Sequence, residues 1–120
     1  MTQSLYERLG GIDSITQLVS DAVDTHLANP IVKTRFENTK DIEHAKRMSV
    51  EFFCAGSGGP QAYTGRDMLT THKGMNISEQ EYIAVVDDIL LAMDKNNCAE
   101  DVKKDVLAVL YSLKGQIIRV

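Results

Sequence analysis

Apolar residues in this chain recur every three to four positions over long runs, and no run alternates. A period near 3.6 lines one face of a helix, whereas a half-buried strand needs a period of two. After Asp13 and Ser14, either of which can cap a helix, the apolar set is Ile15, Leu18, Val19, Ala22, Val23 and Leu27. Residues 41–55 place Ala45, Met48, Ser49, Phe52 and Phe53 on one face. A third helix follows Ser78, with Glu81 three residues on as in a capping box, and shows Tyr82, Val85, Val86, Ile89, Leu90 and Met93. A fourth, over about 100–118, repeats Val102, Val106, Val109, Leu110, Leu113 and Ile117. Short helical pieces fit Gln3–Leu9, the stretch from Pro30 to Phe36, and Asp67–His72. Both prolines and the glycines at 10–11, 56–59, 65 and 74 fall where these patterns stop. The expected class is all-α with four main helices.

The chain has 120 residues, which suits one domain over residues 1–120 and lets about two-thirds of its surface be buried. With 43% hydrophobic and 25% charged residues it reads as globular rather than disordered. A net charge of -4 supplies no basic stripe, so no nucleic-acid partner is expected. No apolar run approaches the ~18 residues of a membrane span, so no membrane partner is expected. The opening MTQSLYERLGG lacks a basic stretch followed by an apolar run, and Cys54 and Cys98 form no CxxC or zinc pattern. A reduced, cytoplasmic setting is expected.

Most chemical motifs are missing: Glu-x-x-His, HExxH, the phosphate-loop pattern, a dinucleotide glycine fingerprint and the GxSxG elbow. Cys54, beside Phe52 and Phe53, reads as a small buried hydrophobe. Three histidines remain, and the ordinary reading of each is a surface or capping residue. His26 lies near the apolar stripe of its helix, where partial burial is plausible. His44 borders the next stripe and reads as solvated. His72 ends a short helical piece that Lys73-Gly74 then halts. Alone at a helix end it cannot build a closed zinc site. It could serve as the single protein ligand of an iron held by a porphyrin.

Four segments carry a resemblance: SLYERLGG at 4–11, Phe36 after a short turn, VEFFCAGSGGPQAYTG at 50–65, and DMLTTHKGMNIS at 67–78. In this order and spacing they resemble the truncated haemoglobins of group I, from about Ser4 to Gly115. The resemblance implies a globin-like two-over-two helical sandwich around haem b, with the helix before the proximal histidine shortened to a loop. It puts His72 in the iron-binding place and Phe36 against the porphyrin. Phe52 and Phe53 match aromatic positions near haem on the distal helix, and Met68 falls on the proximal side. Lys40, His44 and Tyr63 match positions around the propionates, where a cation or hydroxyl can pair with a carboxylate. Ala45, Met48, Ser49, Phe52 and Phe53 also form a stripe apolar enough to face a flat macrocycle.

The chain departs from the family on the distal side. Many group I members carry a tyrosine on the second helix and one or two glutamines on the distal helix. Here those places align with Val23, Ala45 and Ser49, and only Ser49 offers a short donor. Met48 falls where some relatives carry a histidine that closes on iron, and a thioether is itself a competent axial ligand. The function implied is reversible binding of oxygen and other diatomic gases, an oxygen-transport type of activity. The alternatives are nitric oxide detoxification or peroxidase-like chemistry, which needs a reductase partner, electron transfer or sensing with Met48 as sixth ligand, and a haem-free helical interaction module.

Overall fold

Ser4 opens the first element with both halves of a capping box. Its hydroxyl accepts from the Glu7 N–H at 3.1 Å, and the Glu7 carboxylate accepts from the Ser4 N–H at 3.3 Å. The computed structural model describes residues 3–37 and 40–120. Among the described residues seven helices follow in order: α1 (Leu5–Arg8), α2 (Gly11–Ala28), α3 (Lys33–Phe36), α4 (Ile42–Gly56), α5 (Met68–His72), α6 (Glu79–Lys95) and α7 (Glu100–Leu113). A 3-10 turn, Lys114–Gln116, succeeds α7. Among the described residues there is no strand, only an isolated bridge between Ile77 and Ile118. The class is all-α, and α2, α4, α6 and α7 are the four main helices.

Two helix boundaries differ from the sequence expectation. Neither Asp13 nor Ser14 caps α2. Gly10 does, in the left-handed conformation at φ 98°, and the helix starts at Gly11. The Tyr6 hydroxyl accepts from the Ile12 N–H at 3.1 Å, taking over work a capping side chain would do. The second difference is at the other end, where α7 stops at Leu113 rather than continuing to about 118. The 3-10 turn still delivers Ile117 to the core, so apolar periodicity outlasts the helix.

The core lies where α2 packs against α4 and α6, with α7 beside α6, giving the two-over-two layering. Ile15, Val32, Cys54 and Met93 are the largest fully buried side chains. Each aliphatic one contributes about 1.5–3 kcal/mol by burial. Cys54 is the small buried hydrophobe its neighbours suggested. Beyond the 3-10 turn the chain returns to the segment that follows α5. There the Arg119 N–H donates to the Ile77 carbonyl at 3.0 Å, and the Gly74 N–H donates to the Val120 carbonyl at 3.2 Å. The Arg119 guanidinium donates to Asn76 Oδ1 at 2.8 Å. No helix among the described residues is long and apolar enough to cross a membrane.

Candidate functional site

The short helix α5 exists because both of its ends are managed. The Asp67 carboxylate accepts from the Thr70 N–H at 2.9 Å and caps the start. Beyond Lys73, Gly74 turns the chain away at φ 87°, which leaves His72 in the last turn. His72 Nδ1 lies 2.8 Å from the Met68 carbonyl oxygen. A carbonyl only accepts, so Nδ1 carries the proton and Nε2 keeps its lone pair. A metal-binding imidazole needs this arrangement, with the far nitrogen anchored and the near one free. His72 is half-buried, so the ring is oriented but reachable.

The other two histidines are placed differently. His26 is buried in the seam between α2 and α6, with Nδ1 2.7 Å from Asp88 Oδ2. Asn29 Nδ2 donates to both Asp88 oxygens, at 3.0 and 3.2 Å. Burial pushes the His26 imidazole pKa down, and the Asp88 carboxylate opposes that shift. His26 is therefore more buried than the sequence suggested, and its ring stacks on Phe36 at 5.1 Å with 15° between planes. His44 is exposed, and its Nδ1 is 3.3 Å from an Arg47 guanidinium nitrogen.

The remaining candidates share one property. Phe36, Ala45, Met48, Ser49, Phe52, Phe53, Tyr63 and Met68 are all half-buried, and within α4 only Cys54 is fully covered. An apolar helix face that stops short of burial calls for a further apolar surface. Phe53 and Met68 also touch the core, and Phe52 meets the Tyr63 ring edge-on at 5.3 Å. The Tyr63 hydroxyl donates to the Arg66 carbonyl at 2.6 Å, and burial pushes its pKa up. Lys40 is exposed. A cavity of about 30 Å³ against Phe52, Phe53, Leu5, Leu9 and Leu110 has room for a very small molecule, not for a macrocycle. A groove of about 510 Å³ on the α2–α4 side is lined by Thr16, Ser20, Glu43, Lys46, Arg47, Val50 and Glu51 and takes in none of the candidate residues.

The donor set fits haem: one imidazole nitrogen free for iron, with aromatic and thioether side chains incompletely covered on α3, α4 and α5. Sequence reasoning missed two polar clusters nearby. One is His26–Asp88–Asn29. Its signal was Asp88 in the row Ala84, Asp88, Ala92, where a carboxylate sits between small residues on a face that is buried. The other joins Arg35 to Glu81 through the guanidinium Nε and Nη2. It left no local trace.

The sequence model of the bacterial-like globins matches residues 4–119. The chain belongs to that globin family. Haem-based gas binding, in general terms, comes with the membership. Among relatives, the group 1 truncated haemoglobin of Tetrahymena pyriformis is 29% identical over 116 residues, covering 97% of this chain and 95% of that protein. That of Mycolicibacterium paratuberculosis is 27% identical over 95% of this chain and 83% of its own length. The crystal structure of the Tetrahymena pyriformis protein in its Fe(III) form superposes with a TM-score of 0.94 at 26% identity, covering 98% of this chain and all of that one. The resemblance to group I truncated haemoglobins is thus met in sequence and in fold.

Proposed function

We propose that this globin binds diatomic gases, oxygen among them, reversibly on a b-type haem whose iron is held by His72 Nε2. The observation that carries the reading is the His72 Nδ1–H donated to the Met68 carbonyl, which leaves a lone pair on the other nitrogen. When bound, haem supplies an iron with one open coordination position. In this reading Phe36 stacks on one edge of the macrocycle, while Phe52, Phe53 and Met68 shed water from its faces. Lys40 and His44 stand as partners for the propionates, their exposure suiting a carboxylate that remains in water, while the Tyr63 hydroxyl, whose one proton goes to the Arg66 carbonyl, has none to donate there. On the distal side Val23 is buried and apolar, Ala45 is methyl-sized, and Met48 adds a thioether. Ser49 alone carries a hydroxyl there. The pocket therefore excludes water more than it stabilises charge, which favours reversible binding over oxidative chemistry.

The test is a His72→Gly variant. Purified wild type should show a Soret band and a five- or six-coordinate ferric spectrum. The variant should lose stable haem, or bind it only with imidazole added to fill the cavity. Unchanged haem retention and spectra in the variant would remove His72 from the role.

A further inference from the structure

We propose that Arg35 is a positioning residue for the haem pocket, linking the helix that carries Phe36 to the backbone of His72; this rests on the haem reading above. Arg35 belongs to α3, a four-residue helix too short to hold its own geometry. Its guanidinium reaches two distant segments. Nε and Nη2 donate to the two Glu81 oxygens, the second at 2.9 Å, and Nη1 donates to the Met75 carbonyl at 2.9 Å. Those partners lie 46 and 40 residues away in sequence.

Each partner is itself fixed. Glu81 Oε1 accepts from the Ser78 N–H at 3.1 Å, and the Ser78 hydroxyl accepts from the Glu81 N–H at 3.0 Å. Glu81 is thus rigid at the start of the long helix α6 before Arg35 reaches it. On the other arm, the Met75 N–H donates to the His72 carbonyl at 3.0 Å. The Met75 backbone is therefore held on both sides of its Cα, its N–H by the His72 carbonyl and its own carbonyl by Arg35. One side chain connects the residue next to Phe36 with the end of the helix that bears His72.

A planar fork with all three of these donors engaged defines direction as well as distance, which an ammonium cannot do. The His26 stack holds the Phe36 ring from the α2 side, and Arg35 ties the same short helix to the His72 segment, so Arg35 sets the spacing between Phe36 and the imidazole and with it how that imidazole meets iron. It does so without touching either ring.

The experiment compares Arg35→Ala, Arg35→Lys and Glu81→Gln with wild type, all loaded with haem. Two readouts apply: the iron–histidine stretching band of the ferrous protein by resonance Raman, and the rate of haem transfer to an excess of apomyoglobin. Ser78→Ala serves as a control, because it weakens the α6 cap while leaving both Arg35 arms in place. Arg35→Ala should shift or broaden the band and speed haem loss about tenfold, the equivalent of one charge-assisted hydrogen bond. Arg35→Lys should restore little of either. Glu81→Gln, which keeps the Met75 arm, should fall between. Ser78→Ala should melt earlier with the band unmoved. If Arg35→Ala and Arg35→Lys melt earlier but keep the wild-type band and transfer rate, Arg35 is only a structural tie and the proposal fails while the haem reading stands. Wild type with no Soret band would overturn both together.

Discussion

His26 and Asp88 face each other across the α2–α6 seam at 2.7 Å, with side chains only 7% and 4% exposed. Burial holds the imidazole pKa below its value in the unfolded chain. The unfolded state therefore binds the proton more readily, and stability falls as pH drops below about 6.5, levelling off beneath the folded-state value. His26→Leu should cost about 3 kcal/mol, because it leaves Asp88 with Asn29 alone, and should flatten that pH slope. Urea unfolding at about pH 7.5 and about pH 5.5, on wild type and variant, measures both effects. An undiminished slope in His26→Leu would assign it to another group.

The Glu81 carboxyl is pulled down to about 2, first by the hydrogen bond from Arg35 and then by the Ser78 contacts, against the cost of burial. Its folded pKa is below its unfolded one, so its contribution is complete above about pH 4.5 and fades as pH falls toward 2. Arg35 and Glu81 side chains remain 30% and 19% exposed, so water screens the pair to about 1 kcal/mol. Glu81→Gln should lower stability by that amount at neutral pH and narrow its gap to wild type in acid. Acid-unfolding curves followed by far-ultraviolet circular dichroism test this.

Distal chemistry offers a gain-of-function test. A hydrogen bond to a charged acceptor contributes about 1–3 kcal/mol, or about one to two decades in affinity. Wild type, with Val23, Ala45 and Ser49, should release oxygen fast and favour carbon monoxide. Val23→Tyr should slow oxygen dissociation about tenfold while changing carbon monoxide release much less, at about 1–3 kcal/mol of overpacking, since Val23 lies in the core. Flash photolysis and stopped-flow displacement read both rates. Slow release in wild type that ignores the substitution would mean another donor serves the pocket.

Two glycine substitutions should diverge. At Gly10, φ is 98° and an added Cβ would stand 2.5 Å from Ser14 Oγ, so Gly10→Ala should destabilise by about 1–3 kcal/mol. At Gly56, inside α4, a Cβ meets nothing within 4 Å, so Gly56→Ala should be neutral or stabilise by up to about 1 kcal/mol. Thermal melts of the two variants separate these outcomes.

What was legible in the sequence was local. The Ser78–Glu81 capping box, the stop after His72 and the apolar faces of α2 and α6 depend on neighbours three or four residues apart, and each stands as read, whereas α4 turns Cys54, with Ile42, Val50 and Phe53, to the core and leaves Ala45, Met48, Ser49 and Phe52 half-buried. The start of α2 was misread because its first N–H groups rely on a glycine conformation and on Tyr6, not on a capping side chain. The end of α7 was overrun because Ile117 is buried without being helical. His26–Asp88 and Arg35–Glu81 join positions 62 and 46 apart, and only the fold brings them together. The free nitrogen of His72 also escaped the sequence, since it follows from a backbone carbonyl that every residue possesses.

The pairing of residues 74–77 with 118–120 sets an order of events during synthesis. Arg119 and Asn76 are 43 positions apart, so His72 leaves the ribosome well before the segment that pins its downstream side. Domains assemble as their parts emerge, and contacts of this range form late. The segment after His72 therefore stays unpinned on a nascent chain until residues 118–120 emerge, and if His72 holds haem, a firm grip should come only then. A ribosome-stalled chain lacking residues 118–120 should form α2 and still fail to retain haem.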